Sequence, residues 1–232
     1  MENKNQAETR MALMGEALLC NLLGRMLFGD PDKAWLENLI SEDVFAEAPF
    51  SAEQVETQRG IELIQHWTSE NLNGISDEEF KLLKQDHLRL FIGTDRVLAP
   101  VWESVYCNEK RLVFQEQTLQ VRQWFYRYGL ESEKFNREPD DHIGLELSFV
   151  AHLASLAIKA MESDDQQTFD QTLQAQRDFL SEHLLRWGPV WAKLVLQHAE
   201  TDFYRGMAHL TLGAMQAMAE FLQIKMPKET TH

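Results

Sequence analysis

Apolar residues recur at intervals of three and four along almost the whole chain, and no stretch keeps the period of two that a half-buried strand requires. The pattern predicts an all-α protein, a bundle of roughly nine to eleven helices in two subdomains joined by a hinge. The first helix covers "TRMALMGEALLCNLLGRMLF" and stops at Gly29. Asp30 is the expected cap of the second, with Pro31 in its first turn. Ser51–Gln54 and Ser76–Glu79 have capping-box spacing and open helices expected to run to about Gly74 and about Ile92. "GTDRVLAPVWESVYCNEKR" is too broken for a long helix. Another helix centres on "TLQVRQWFYRYG" and ends at Gly129.

The charged, proline-punctuated stretch that follows is the expected junction. It divides the chain into an N-terminal portion 1–130, a hinge 131–141 and a C-terminal portion 142–232. "HIGLELSFVAHLASLAIKAM" is apolar on nearly every side, as in a helix buried between others. Three more helices complete the reading: about 165–185, a short one from Pro189, and 201–225, whose Phe203, Met207, Leu210, Ala214 and Phe221 keep one face apolar.

Charge narrows the partners. With 37 acidic against 22 basic residues the formal charge is −15. A nucleic-acid backbone would be repelled, and the expected partner is basic or apolar. "MENKNQAETR" lacks the basic start and apolar run of a secretory signal, and no stretch offers about 18 uncharged apolar residues, so a cytoplasmic protein without membrane insertion is expected. Cys20 and Cys107 stand far apart without CxxC spacing; both read as small buried apolar residues, with no disulfide framework or thiolate zinc site.

Three segments are candidates for chemistry. In "REPDDHIGLEL", residues 137–147, Glu138, Asp140, Asp141, His142 and Glu146 are the residue types of metal sites and acid–base pairs, and His142 and Glu146 share a helix face. A helical metal- or nucleotide-dependent hydrolase centred on Asp140, Asp141, His142 and Glu146 is therefore one reading, but HExxH is absent and each such enzyme class lacks a required member. The plainer reading is that Pro139 ends one segment and Asp140 or Asp141 caps the next helix. In "DHLRLFIGTDRVLAPVWESVY", His87, Leu90 and Phe91 recur at helical spacing ahead of a loop bearing Pro100, Trp102 and Tyr106. Leu90 and Phe91 would ordinarily be core, whereas the loop offers rigid apolar area of the kind that receives a peptide. In "FLSEHLLRW", packing and a helix stop before Gly188 and Pro189 explain the residues, and His183 has no acidic companion nearby in sequence. Neither a phosphate loop nor GxGxxG or GxSxG occurs. No cofactor and no metal site are expected.

Taken in order, "HLRLFIG" with "APVWESVY", then "EPDDHIGLELSF", then "FLSEHLLRW" resemble the TorD/DmsD family of cytoplasmic chaperones for molybdenum-containing redox enzymes, over about residues 10–222. The middle motif, E-P-x-D-H ahead of an apolar helix, is the most specific. The resemblance implies an all-α chaperone and not an enzyme. Its client would be the precursor of a molybdenum-cofactor oxidoreductase, bound through its twin-arginine leader and its body and held from export until the cofactor is loaded. It further implies contact with cofactor-loading proteins, and a monomer or domain-swapped dimer. Weak guanine-nucleotide binding is attributed to some members; no phosphate loop here supports it.

Carried onto this chain, the leader-binding surface would use Leu90, Phe91, Trp102, Asp141 and His142, with His87 where an aromatic is common in the family. Arginine forks pair bidentately with carboxylates. Asp140, Asp141 and Glu138 are therefore expected to meet the leader's arginines, with Pro100, Tyr106 and the aromatic residues lining its apolar stretch.

Overall fold

The computed structural model describes residues 4–46, 50–93, 97–108, 110–131 and 138–226. Ten α-helices account for most of it: α1 (Lys4–Phe28), α2 (Lys33–Ser41), α3 (Val55–Glu70), α4 (Asp77–His87), α5 (Glu103–Cys107), α6 (Glu116–Arg127), α7 (Ile143–Glu162), α8 (Gln166–Glu182), α9 (Leu184–His198) and α10 (Asp202–Phe221). Among the described residues no strand forms; Trp102 and His142 make an isolated antiparallel bridge. The all-α expectation is met.

Several helix starts differ from expectation by two to five residues. Asp32, not Asp30, caps α2, accepting the Trp35 amide at 3.1 Å. Ser51 does not cap α3; that helix follows Gln54, which makes no side-chain cap, and Ser51 instead accepts the Thr57 hydroxyl at 2.8 Å. Ser76 does cap α4, but Glu79 receives the Trp67 indole N–H at 2.7 Å and closes no reciprocal half of the box. Helix α4 passes directly into a π-helical turn, Leu88–Ile92, in which the Gly93 amide reaches back to the Leu88 carbonyl. Pro189 starts no helix: it lies inside α9, which already begins at Leu184.

The chain groups into two compact units, each discontinuous in sequence. One holds the chain through Phe28, Trp102–Gly188 and the chain from Met215; the other holds Gly29–Val101 and Pro189–Ala214. Of the junction expected at 131–141, residues 132–137 lie outside the described residues.

In the first unit α1 lies along α7. Leu13 packs with Ala154 and Ala157, and at the crossing a Cβ on Gly144 would stand 2.6 Å from the Gly24 carbonyl oxygen. Only glycine permits that approach, which explains why two long apolar helices meet there. Both are long and apolar enough by composition to cross a bilayer, and their mutual packing accounts for much of that apolarity. Around Phe149, within ring-contact distance, stand Trp124, Phe125, Tyr128 and Phe179 from α6, its C-terminal end and α8.

The second unit packs Trp67 of α3 against Phe203 of α10, and Gly60 and Gly206 let those two helices approach closely. Asp86, at the end of α4, is almost fully buried. It accepts bonds from Arg89, from the Glu200 and Thr201 amides and from the Thr201 hydroxyl, which ties the π-turn to the loop before α10. Phe91 stacks on Trp191 and meets Tyr204 edge-on, closing the core beneath the turn.

Candidate functional site

The motif 138–142 lies in the first unit, where its four polar side chains each take separate partners. Asp141 is wholly buried. One of its oxygens accepts the Ser104 amide and the other the Thr118 hydroxyl, both at 2.7 Å, and its carbonyl accepts the Glu103 amide at 2.9 Å. It therefore anchors the first turn of α5, where a carboxylate also favours the helix dipole. Asp140, 2% exposed, accepts Arg122 Nε at 2.6 Å. His142 is the residue that caps α7: its Nδ1 accepts the Gly144 amide at 3.0 Å, which fixes Nδ1 as the unprotonated nitrogen. Its ring stands edge-on between Phe28 and Trp102. The expectation that Asp140 or Asp141 caps α7 is corrected accordingly.

Glu138 is the motif acid that stays accessible. It is half-buried, and its Oε1 accepts the indole N–H of half-buried Trp102 at 2.7 Å. An aromatic face and a carboxylate thus sit side by side, stiffened from below by the Trp102–His142 bridge. Tyr106, also half-buried, rests on Trp187.

Behind this surface lies a buried polar cluster. His183 Nδ1 stands 2.8 Å from Glu103 Oε2, so the acidic partner that sequence proximity did not supply comes from 80 residues upstream. Glu146, fully buried, accepts the Trp187 indole N–H at 3.2 Å. Burial foremost, and then the neighbouring charges of Glu103 and Asp141, push its carboxyl well above the usual range. That shift disfavours the carboxylate form that a metal ligand would need. Among the described residues no three His, Cys, Asp or Glu side chains are placed to hold a metal. Asp140, Asp141, His142 and Glu146 do not converge on a common point, and the hydrolase reading finds no support. Cys107 is half-exposed, contrary to expectation, and its thiol is pushed up to about 11, chiefly by burial, which makes it a poor nucleophile; Cys20 is buried.

The second unit holds the other expected contacts, His87, Leu90, Phe91 and Pro100, and all four are buried. Leu90 and Phe91 face the core. Helical spacing had already put Leu90 and Phe91 in the core, and the exposed apolar residues of the π-turn are Leu88 at 45% and Ile92 at 51%, which the carried-over leader surface did not include. Leu88 and His87, with Pro31 and Phe80, line an open cavity of about 540 Å³. Burial holds the His87 imidazole below its ordinary value, with Asp30, 3.5 Å from Nε2, pulling the other way.

A family model described as nitrate reductase delta subunit matches residues 56–193. The chaperone protein TorD of Vibrio cholerae serotype O1, strain El Tor Inaba N16961, is 35% identical over 134 residues, which cover 58% of this chain and 59% of the relative. Its counterpart from strain O395 is 34% identical over 149 residues, 63% of this chain and 66% of the relative. The Tat proofreading chaperone DmsD of Salmonella typhi is 27% identical over 208 residues, 87% of this chain and 89% of the relative. The chain thus spans less than two thirds of the two TorD relatives and most of DmsD.

Proposed function

The chain belongs to the nitrate reductase delta subunit family, the family of the TorD and DmsD chaperones, and from that premise we propose that it is a cytoplasmic chaperone, not an enzyme. Its client is the precursor of a molybdenum-cofactor oxidoreductase. The chaperone binds the precursor's twin-arginine leader and its body and delays export until the cofactor is loaded, in contact with the cofactor-loading proteins.

The observation that carries the reading is the Trp102–Glu138 pair. A leader arginine needs a carboxylate for its guanidinium and an apolar face for its stem. Half-buried Glu138, whose Oε1 accepts the Trp102 indole N–H, offers the first and Trp102 offers the second. Asp140, Asp141 and His142 support this pair rather than meeting the arginine themselves, because all three are buried and bonded within the fold. Tyr106 extends the aromatic surface. In the second unit, His87, Leu90, Phe91 and Pro100 back the exposed Leu88 and Ile92, which contact apolar client residues.

Titration of the full chain with its client's leader peptide tests the assignment. Glu138→Gln should weaken binding by about tenfold, roughly 1.4 kcal/mol, and Trp102→Leu by at least as much, both with an unchanged helical spectrum. Equal affinity in both variants would remove the pair from the client surface.

A further inference from the structure

Helix α1 is apolar on almost every side, yet only part of it is covered. One ridge, with Leu13 and Gly24, is buried against α7. On the outer ridge Met11, Met14 and Leu18 are 72%, 52% and 63% exposed. These positions, i, i+3 and i+7, form one continuous stripe. A helix hydrophobic all round is ordinarily buried all round. Three large apolar side chains in a row, on a chain of net charge −15, therefore mark a surface that something covers. Methionine suits such a surface, because its unbranched side chain adapts to the shape it meets.

Beside this stripe α1 and α7 leave an open groove of about 400 Å³. Ala17 and Asn21 line it from α1, and Ser148, His152 and Ser155 from α7. The α7 positions recur at helical spacing, so the groove follows that helix's axis. From Leu145 to Ser155 it is about 15 Å long at 1.5 Å per residue, the length of a helix of about three turns. Alanine and serine in the groove allow a third helix to approach closely, much as the glycines do at the α1–α7 crossing. Among the described residues lining the groove, Glu131 is the one acid and there is no lysine or arginine. Burial, and then Lys159, hold the His152 imidazole below its ordinary value, which favours its neutral form.

We propose that this groove, with Met14 and Leu18 on the ridge of α1 next to its Ala17 and Asn21, seats an apolar helix about three turns long that carries cationic side chains near one end, supplied by the client's leader. This rests on the function proposed above and assigns the leader's apolar stretch a place on the protein. The Glu131 carboxylate selects the cationic end. A second copy of this chain is the wrong occupant on charge, since it would bring another surface of net −15.

The test uses the full chain and a synthetic probe, a fluorescent leucine–alanine helix of about twelve residues headed by two arginines, alongside the client leader. Three variants alter the groove at accessible positions: the double change Met14→Glu with Leu18→Glu, the obstructing Ser155→Trp, and Glu131→Lys. The expected result is probe binding weakened at least about tenfold by each of the first two and about threefold or more by the third, with thermal midpoints unchanged. Probe binding by the wild type that stays within about twofold in all three variants overturns the proposal, as does no probe binding by the wild type. A wild-type dimer that the ridge variant dissociates overturns it in favour of a second copy. Binding to phosphatidylglycerol vesicles that the ridge variant abolishes, with peptide binding intact, overturns it in favour of a lipid surface. Leader binding that survives all three variants removes the groove alone and leaves the chaperone function standing; probe binding lost in the variants, with no leader bound by the wild type, keeps the groove and removes that function.

Discussion

Asp141 is a support and not a displayed contact, and that distinction has a measurable size. Replacing it with alanine removes the acceptor for the Ser104 amide and the Thr118 hydroxyl, both buried. Each hydrogen bond to a charged acceptor is worth about 1.5–3 kcal/mol, and the two donors left behind add a desolvation cost of their own. Part of this is offset, because Asp141 and Glu103 together strain Glu146 and the change relieves one of the two charges. The net expectation is a loss of about 3–4 kcal/mol, or about 10 °C in midpoint for a chain of this size. Asparagine keeps one acceptor and should cost about half as much. Urea unfolding followed by far-ultraviolet circular dichroism gives the numbers. An alanine variant within about 0.5 kcal/mol of wild type, the behaviour of an exposed carboxylate, refutes the supporting role.

Glu16 is buried against Gln176, and burial pushes its carboxyl up to about 8 from 4.5. Between those values the folded chain holds a proton that the unfolded chain has released. Stability therefore falls as pH rises through that window, by up to about 1.4 kcal/mol per pH unit from this group; thermal midpoints of Glu16→Gln should vary less across it and exceed wild type above pH 8. At the α1–α7 crossing, Gly144→Ala places a Cβ 2.6 Å from the Gly24 oxygen and should cost about 2 kcal/mol. Gly29→Ala meets nothing within 4 Å and should stay within about 0.5 kcal/mol in the same unfolding assay.

The helices were legible because apolar spacing of three and four survives wherever a helix has one buried face, as in α6, α8 and α10. The caps were legible only to within two or three residues: Asp30 and Asp32 flank Pro31, and both are plausible acceptors until the amide they meet is known. The site was legible in its segments but not in the roles of its members. Whether Asp140 and Asp141 face solvent depends on Arg122, Thr118 and Ser104, which are 18 to 37 residues away along the chain. The Glu103–His183 pair is invisible for the same reason. Helical spacing puts Leu90 and Phe91 in the core, as the structure has them; it was the leader surface carried over from the family that needed them outside, where Leu88 and Ile92 stand instead. Glu16 did leave a signal, as a lone acid in "MALMGEALLCNLLG", where a charge has no polar neighbour to share.

The central claim is that this protein acts as a chaperone that recognises a molybdoenzyme leader through its arginines. Its most direct test is calorimetric titration of the full chain with twin-arginine leader peptides from the molybdoenzymes of its host, each beside a copy with both arginines changed to lysine. Saturable binding of one leader is expected, weakened at least about tenfold by the lysine change, because lysine cannot reproduce the guanidinium fork. Binding that is indifferent to the change, or absent for every leader, contradicts it.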